Sequence, residues 1–309
     1  MRLEIPVGKY VMAVSGGVDS MVLLDIFAKQ AKSQKLKAKS FKPSASSFQL
    51  VVAHFNHGIR PDAGKDEELV RETAERHHLP FEIGYGHLGP DASEDKARQA
   101  RYAFLEKIRA KHQADAIITA HHQDDLLETA IINILRGTGR RGLTALAETS
   151  TVKRPLLAYS KKQVIKYAKE NHLKWHEDPS NLDLKYLRNY VRAKIMPKLS
   201  DAQRRELLRS LTKLTRTNKA IDEEIATLSR LTEEKDGLNR QKFINLPLEL
   251  AQEVLMHWLR TNNLRQFDKK TIGRLAIAIK TGRPGTTHEV TRNIKLHLTK
   301  THANLGQGV

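Results

Sequence analysis

The sequence predicts an α/β fold: a doubly wound parallel sheet in the N-terminal part, followed by a smaller, mainly helical C-terminal domain. Three observations carry that prediction. Short apolar runs rich in β-branched residues alternate with helical patterns between residues 9 and 135, which is the sequence form of repeated strand–helix–strand units. The first run leads through Ser15-Gly16-Gly17-Val18-Asp19-Ser20 directly into a helical pattern. Beyond Ser160 the strand signal fades, and apolar residues recur at three- and four-residue spacing.

In order, KYVMAV (9–14) is the first strand and Ser20–Gln30 the helix after it. FQLVVAHF (48–55) is the second strand, followed by a helix over Ala63–His78. PFEIGY (80–85) and ADAIITA (114–120) are the third and fourth, with helices over Ser93–His112 and Asp124–Leu135. The runs are apolar almost throughout because a parallel strand is covered on both faces. Right-handed crossovers place their carboxyl ends along one edge, where open α/β sheets bind ligands. Between 29 and 47, KQAKSQKLKAKSFKPSASS is rich in lysine and serine and reads as a mobile insertion. Further helices are expected around 161–171, 185–195, 202–231 and 247–261, and TTHEVTRNIKLHLTK (286–300) alternates as a terminal hairpin would. The domain boundary is placed after MPKL, giving 1–200 and 201–309.

Lys plus Arg number 53 against 35 Asp plus Glu, a formal net charge of +18 over 309 residues, which favours a polyanionic partner, nucleic acid before a membrane surface. The surplus is uneven. Residues 151–200 carry 12 basic against 4 acidic side chains and 251–309 carry 10 against 3, whereas the first 150 residues are nearly balanced. Chemistry in one place and docking in another would produce that split. Mean hydropathy is −0.51 and no apolar run approaches about 18 residues, which excludes a spanning helix. The N-terminus has no apolar segment with a small-residue cleavage site, so the cytoplasm is the expected compartment. The chain has no cysteine, which excludes disulfides, cysteine-ligated zinc, iron–sulfur clusters and chemistry through a thiol of its own.

The segment Ser15 to Ser20 has the features of a phosphate cradle. Two glycines let the backbone approach an anion, amides and two hydroxyls can donate, and a helix N-terminus adds partial positive charge. Asp19 could hold Mg²⁺ or cap the helix. Two G-x-G-x-x-G matches, Gly84–Gly89 and Gly137–Gly142, lack the strand–turn–helix context of a dinucleotide site. The second, with Arg136, Arg140 and Arg141, reads as a basic turn. At the end of the fourth strand stands His121-His122-Gln123-Asp124-Asp125-Leu126-Leu127-Glu128-Thr129. Capping explains one aspartate, but Glu128, four residues from Asp124 and three from Asp125, adds a third carboxylate to the same helical face. That cluster suits a metal, an amine or a magnesium-bound polyphosphate. His54-Phe55-Asn56-His57-Gly58 ends the second strand, so three strands terminate in polar segments, two of them glycine-bearing. Downstream, Arg188 and Arg192 share a helical face at a spacing suited to phosphates.

SGGVDS after a strand resembles the pyrophosphate loop of the N-type ATP pyrophosphatases. Together with HHQDDLLET, LRGTGRRGL (135–143), EDPSN (177–181), RNYVR (188–192) and ARQARYAFL (97–105), it resembles the tRNA(Ile)-lysidine synthetase family over at least residues 10–195. That resemblance implies ATP-dependent coupling of L-lysine to C2 of the wobble cytidine in the CAU anticodon of an isoleucine tRNA, with release of AMP and pyrophosphate. It implies that Ser15, Gly16, Gly17, Val18, Asp19 and Ser20 hold the pyrophosphate, with Asp19 on the magnesium ion and His54 and Asn56 at the nucleoside. It implies further that Asp124, Asp125 and Glu128 face the lysine or the metal, with His121, Asp124 and Asp125 as candidate proton acceptors, and that Arg136, Arg140, Arg141, Arg188 and Arg192 meet tRNA. The chain departs from the longer members by its 29–47 insertion and by ending near where they carry a further C-terminal domain. Monomer and homodimer both stay open. The alternatives are a thiolating or amidating relative, the former disfavoured by the absent cysteine, and an RNA-binding protein without turnover.

Overall fold

Tyr10, Val11 and Met12 alternate across β1 (Lys9–Ala13) and are all buried, because the strand has a core on each side. Met12 packs with Leu50, Val52 and Phe27 on one face, and Val11 with Val51, Ile117 and Leu105 on the other. In the computed structural model the described residues are 1, 3–38, 48–58, 63–89, 94–177, 183–235, 237–264 and 267–307. The chain divides into two compact units, Met1–Thr212 and Lys213–Val309.

In the first unit, β1, β2 (Gln49–Asn56), β3 (Phe81–Tyr85), β4 (Ala116–Ile118) and β5 (Val152–Lys153) form one parallel sheet in the order β3-β2-β1-β4-β5. The helices α1 (Val18–Ala38), α2 (Ala63–Arg76), α3 (Glu94–Lys111) and α4 (Gln123–Leu135) follow the first four strands as expected. Helix α1 extends through Ala38, so residues 29–38 of the expected insertion are helical. Lys, Gln and Ala are good helix formers, and their lack of apolar content does not by itself oppose a helix. Residues 39–47 lie outside the described residues. Strand order reverses between β1 and β4, whose carboxyl ends therefore open a crevice at the switch point.

After α5 (Arg140–Leu143) and β5, α6 (Lys161–Glu170) packs back on the sheet through Val164 and Ala168. The single helix expected over 185–195 is instead α7 (Leu187–Tyr190) followed by a π turn, Val191–Ile195. Helix α8 (Asp201–Thr232) contains the division between the units, which falls after the expected boundary at 200. Its early residues Leu207, Leu208 and Leu211 pack with Leu127, Ala130 and Val191, whereas Ile225 and Leu228 belong to the second unit's core.

That second unit combines α9 (Arg240–Ile244), α10 (Leu248–Thr261) and α11 (Lys269–Thr281) with five antiparallel strands. They are β6 (Glu233–Glu234), β7 (Gly237–Asn239), β8 (Thr287–Thr291), β9 (Ile294–Leu298) and β10 (His302–Gln307), ordered β6-β7-β10-β9-β8. The expected terminal hairpin is β8–β9. Buried Arg240 donates to the carbonyls of Ile279, Gly282 and Thr299 at 3.0, 2.7 and 2.8 Å, tying α11 to the sheet. Among the described residues no helix is long and apolar enough to cross a membrane.

Candidate active site at the sheet switch point

The loop between β1 and α1 is shaped by two hydroxyls and a left-handed glycine. Ser20 Oγ donates to Gly17 O at 2.9 Å and accepts from Ser15 N at 3.1 Å, with Ser15 Oγ 3.3 Å away. Gly16 has φ of +90°, and a Cβ there would meet Asp66 Cβ at 3.1 Å. His176 N donates to Gly16 O at 3.1 Å, and its ring Nδ1 donates to Asp66 Oδ1 at 2.9 Å, fixing the loop from a second side. Gly17 precedes α1, which begins at Val18, and the first amides of that helix have no intrahelical partner, which suits them to an anion.

Opposite stands the start of α4. His122 is its N-cap, 3% exposed, and its N–H donates to Asp125 Oδ2 at 3.0 Å. Its ring Nε2 lies 3.4 Å from Asp125 Oδ2 and 3.7 Å from Asp19 Oδ1, and buried Nδ1, 3.7 Å from Asp124 Oδ2, has no hydrogen-bond partner among the described residues. Loop and cluster thus meet through Asp19 and His122. His121, in contrast, turns its Nδ1 to Thr119 Oγ1 at 2.9 Å. Burial pushes its pKa down to about 3, opposed by Asp125 and aided by Arg154, Arg101 and Arg98. A ring so weakly basic is a poor proton acceptor near neutral pH, against the expectation for His121.

The three carboxylates of α4 are partnered unequally, with Asp125 and Glu128 both beside Arg192. Asp124 accepts from Lys161 N at 2.7 Å and from Arg204 Nη1 at 2.9 Å, so it tethers α6 and α8 to the site. Burial raises the Asp125 carboxyl, but the rings of His122 and His121, the His122 N–H and Arg192 together hold it below its ordinary value. Glu128, 2% exposed, accepts a two-pronged bond from Arg192, Nε at 2.8 Å and Nη2 at 2.9 Å. Burial raises its pKa, and the Arg192 bonds offset part of that rise.

Arg188 and Arg192, expected to meet phosphates, turn inward instead. Arg192 also lies 3.5 Å from Asp125, and Arg188 donates to Thr129 Oγ1 at 2.9 Å. Arg136, Arg140 and Arg141 lie at and beyond the far end of α4, whose 13 residues span about 20 Å, and are not gathered with the carboxylates. His54 is buried and its Nδ1–H donates to Val14 O at 2.9 Å, so it braces β1 against β2. Asn56 Oδ1 accepts from Gly58 N at 2.9 Å and shapes the turn after β2. Asp178, Pro179, Ser180 and Asn181 of EDPSN lie outside the described residues.

Lys161 and Arg204 went unread in the sequence, and His122, quoted there beside the carboxylates, was given no role. Lys161 Nζ lies 2.7 and 2.8 Å from the two oxygens of Asp19. Its one local signal is the S-x-x-Q capping box, Ser160 to Gln163, that starts α6. Nothing local ties Lys161 to a loop 142 residues earlier.

A family model described as a PP-loop domain matches residues 4–199. Curated relatives named tRNA(Ile)-lysidine synthase include those of Exiguobacterium sibiricum, Pseudothermotoga lettingae and Geobacter sulfurreducens. They are 33%, 37% and 34% identical over 204, 208 and 240 residues, covering 65%, 64% and 74% of this chain and 45%, 43% and 47% of their own length. The chain spans less than half the length of these relatives. Among solved structures, the U34-tRNA thiolase of Methanococcus maripaludis, determined with its 4Fe-4S cluster, has a TM-score of 0.51 at 18% identity, over 68% of this chain and 73% of that one. At that identity the likeness is one of fold.

Proposed function

Because the chain belongs to the PP-loop domain family, we propose that its first unit uses ATP to activate a tRNA base, and that the reaction is lysidine formation. In this reading the C2 oxygen of the wobble cytidine in the CAU anticodon of isoleucine tRNA attacks the α-phosphorus of ATP. Pyrophosphate leaves, the ε-amine of L-lysine displaces AMP from C2, and a carbon–nitrogen bond is made. The observation that carries the proposal is the meeting of the Ser15–Ser20 loop with the α4 carboxylates through Asp19 and His122, 3.7 Å apart at the switch point.

The loop amides and the hydroxyls of Ser15 and Ser20 would hold the phosphates. Asp125, the aspartate of α4 paired chiefly with His122, would receive the lysine ammonium. The amine must lose a proton before it attacks, which at pH 7 costs about 4.6 kcal/mol for a group of pKa near 10.4. His122, whose Nε2 lies 3.4 Å from Asp125 and 3.7 Å from Asp19, is the best placed acceptor. Glu128, fully engaged by Arg192, would act by holding the cluster rather than by touching substrate.

Magnesium fits as an ion brought by the triphosphate. Among the described residues no group of three or more His, Asp or Glu side chains is arranged to hold a metal, and Mg²⁺ at phosphate sites usually takes only one or two protein carboxylates. Asp19 would supply one. When bound, the ion neutralises the phosphates. Sulfur transfer is disfavoured because the 309 residues include no cysteine. The reading places the protein in the cytoplasm, with L-lysine and tRNA as partners.

The test is AMP release from ATP and Mg²⁺ with a CAU-anticodon isoleucine tRNA transcript, run with each amino acid in turn. Release that depends on lysine supports the proposal. Release independent of every amino acid would keep the adenylating loop and move the nucleophile elsewhere, and silence throughout would favour an RNA-binding protein without turnover.

A further inference from the structure

The phosphate loop lacks a cation of its own. Its six residues include one charged side chain, Asp19, which is negative, whereas loops of the G-x-x-x-x-G-K type carry a lysine that reaches the β- and γ-phosphates. Neutral amides and hydroxyls alone would face a triphosphate whose charge is largely uncompensated. The fold brings an ammonium to this place from α6: Lys161 Nζ bridges both oxygens of Asp19 at 2.7 and 2.8 Å.

Two features make Lys161 more than a surface ion pair. It is the first residue of α6, where the helix dipole favours a carboxylate and disfavours an ammonium. The helix start is already satisfied by Ser160, whose side chain accepts from Gln163 N, so α6 has no need of the lysine for capping. The helix is also fixed independently of the pair. Val164 and Ala168 are buried, Tyr167 donates to Asp25 at 2.8 Å, and Lys161 N is held by Asp124 at 2.7 Å. With its backbone anchored and its side chain 37% exposed, Lys161 can change partner by rotamer alone.

We infer that Lys161 is the phosphate-binding cation of this site and exchanges partners when nucleotide enters. Without nucleotide it neutralises Asp19. With nucleotide the ammonium turns to the β- and γ-phosphates, and Asp19 is released to the magnesium ion the triphosphate carries. In the adenylating step an acceptor oxygen bonds to the α-phosphorus, the α–β phosphoanhydride bond breaks, and its electron pair leaves on pyrophosphate. Lys161 keeps its proton throughout and neutralises charge that grows on the leaving oxygen. The inference rests on the ATP reading above and deepens it.

Binding of α,β-methylene-ATP, which cannot be cleaved between the α- and β-phosphates, tests the exchange without tRNA or lysine. In Mg²⁺, Lys161→Met is expected to weaken binding about 10- to 100-fold, the range for losing a charged hydrogen-bond donor. Lys161→Arg, which keeps the charge, is expected to recover most of that loss. Without Mg²⁺, Asp19→Asn is expected to bind the analogue more tightly than the parent protein, because the ammonium is no longer occupied. With Mn²⁺ alone, Lys161→Met is expected to gain a thermal shift that the parent protein and the double variant Asp19→Asn/Lys161→Met both lack. A merely structural pair would lower the melting temperature of both single variants and produce neither gain. Equal affinity of Lys161→Met and parent protein in Mg²⁺, or no metal-free gain in Asp19→Asn, would overturn the inference and leave lysidine formation standing. Failure of all four proteins to bind the analogue would remove the ATP reading and this inference with it.

Discussion

At the scale of single residues, Gly16 carries the tightest constraint. Its φ of +90° is costly for any residue with a Cβ, and that Cβ would also press on Asp66. Gly16→Ala is expected to lower stability by about 1–2 kcal/mol and to abolish nucleotide binding, as read by thermal unfolding and by titration with ATP. Unchanged nucleotide affinity would mean the loop is not the phosphate site. Asp19→Ala is expected to leave tRNA binding intact while AMP release disappears; equal loss of both would make Asp19 a structural residue. The buried histidines set a pH dependence. His57 is pushed down to about 4 by burial, with Arg101 and His54 adding to the effect. The unfolded chain, near 6.5, therefore binds protons that the folded chain does not as pH falls from about 6.5 to about 4. Stability is fully present above that window and declines through it, and His57→Gln is expected to flatten the decline in melting temperature.

At the scale of elements, α4 and the segment that follows α7 decide what the charged side chains do. Spacing predicts three carboxylates on one face of α4, yet it could not show that Asp124 engages Lys161 N and Arg204 while Asp125 and Glu128 share Arg192. The sequence pattern over 185–195 predicts one helix with Arg188 and Arg192 on a single face at a spacing suited to phosphates. Both side chains do share a face, and that face turns to α4: Arg192 binds buried Glu128 and Arg188 Nε lies 3.9 Å from the same carboxylate, next to a π turn, a feature frequent at functional sites. Arg192→Ala is expected to cost about 3 kcal/mol by leaving buried Glu128 with only the more distant charge of Arg188, at 3.9 Å. A variant with weakened tRNA binding but undiminished stability would instead support the outward, phosphate-facing role. Strand β5 was not legible, since two residues at the sheet edge give no periodicity. Helix α11 escaped notice although its apolar residues are well buried. The first four strands were legible because each is a continuous apolar run, as a doubly covered parallel strand requires.

At the scale of the whole molecule, the first unit was legible in both fold and motif order, and the second only as helices and one hairpin. The reason is physical: the PP-loop unit writes its site into glycines and carboxylates at strand ends, whereas the second unit's short strands β6 and β7 carry neither run nor motif. The basic segments 151–200 and 251–309 are partly committed to internal pairs such as Lys161–Asp19 and Arg192–Glu128, and the remainder is the expected tRNA-docking charge. Binding through six or more phosphates would lower tRNA affinity about 10³-fold between 50 and 200 mM salt. A flat salt dependence measured by filter binding would contradict that use of the +18 charge. The most direct test of the central claim is nucleoside mass spectrometry of CAU-anticodon isoleucine tRNA after incubation with the protein, ATP, Mg²⁺ and isotope-labelled lysine. The account predicts conversion of the wobble cytidine to a lysine adduct, with no conversion by Asp19→Ala. Unmodified cytidine despite ATP turnover to AMP and pyrophosphate would contradict it.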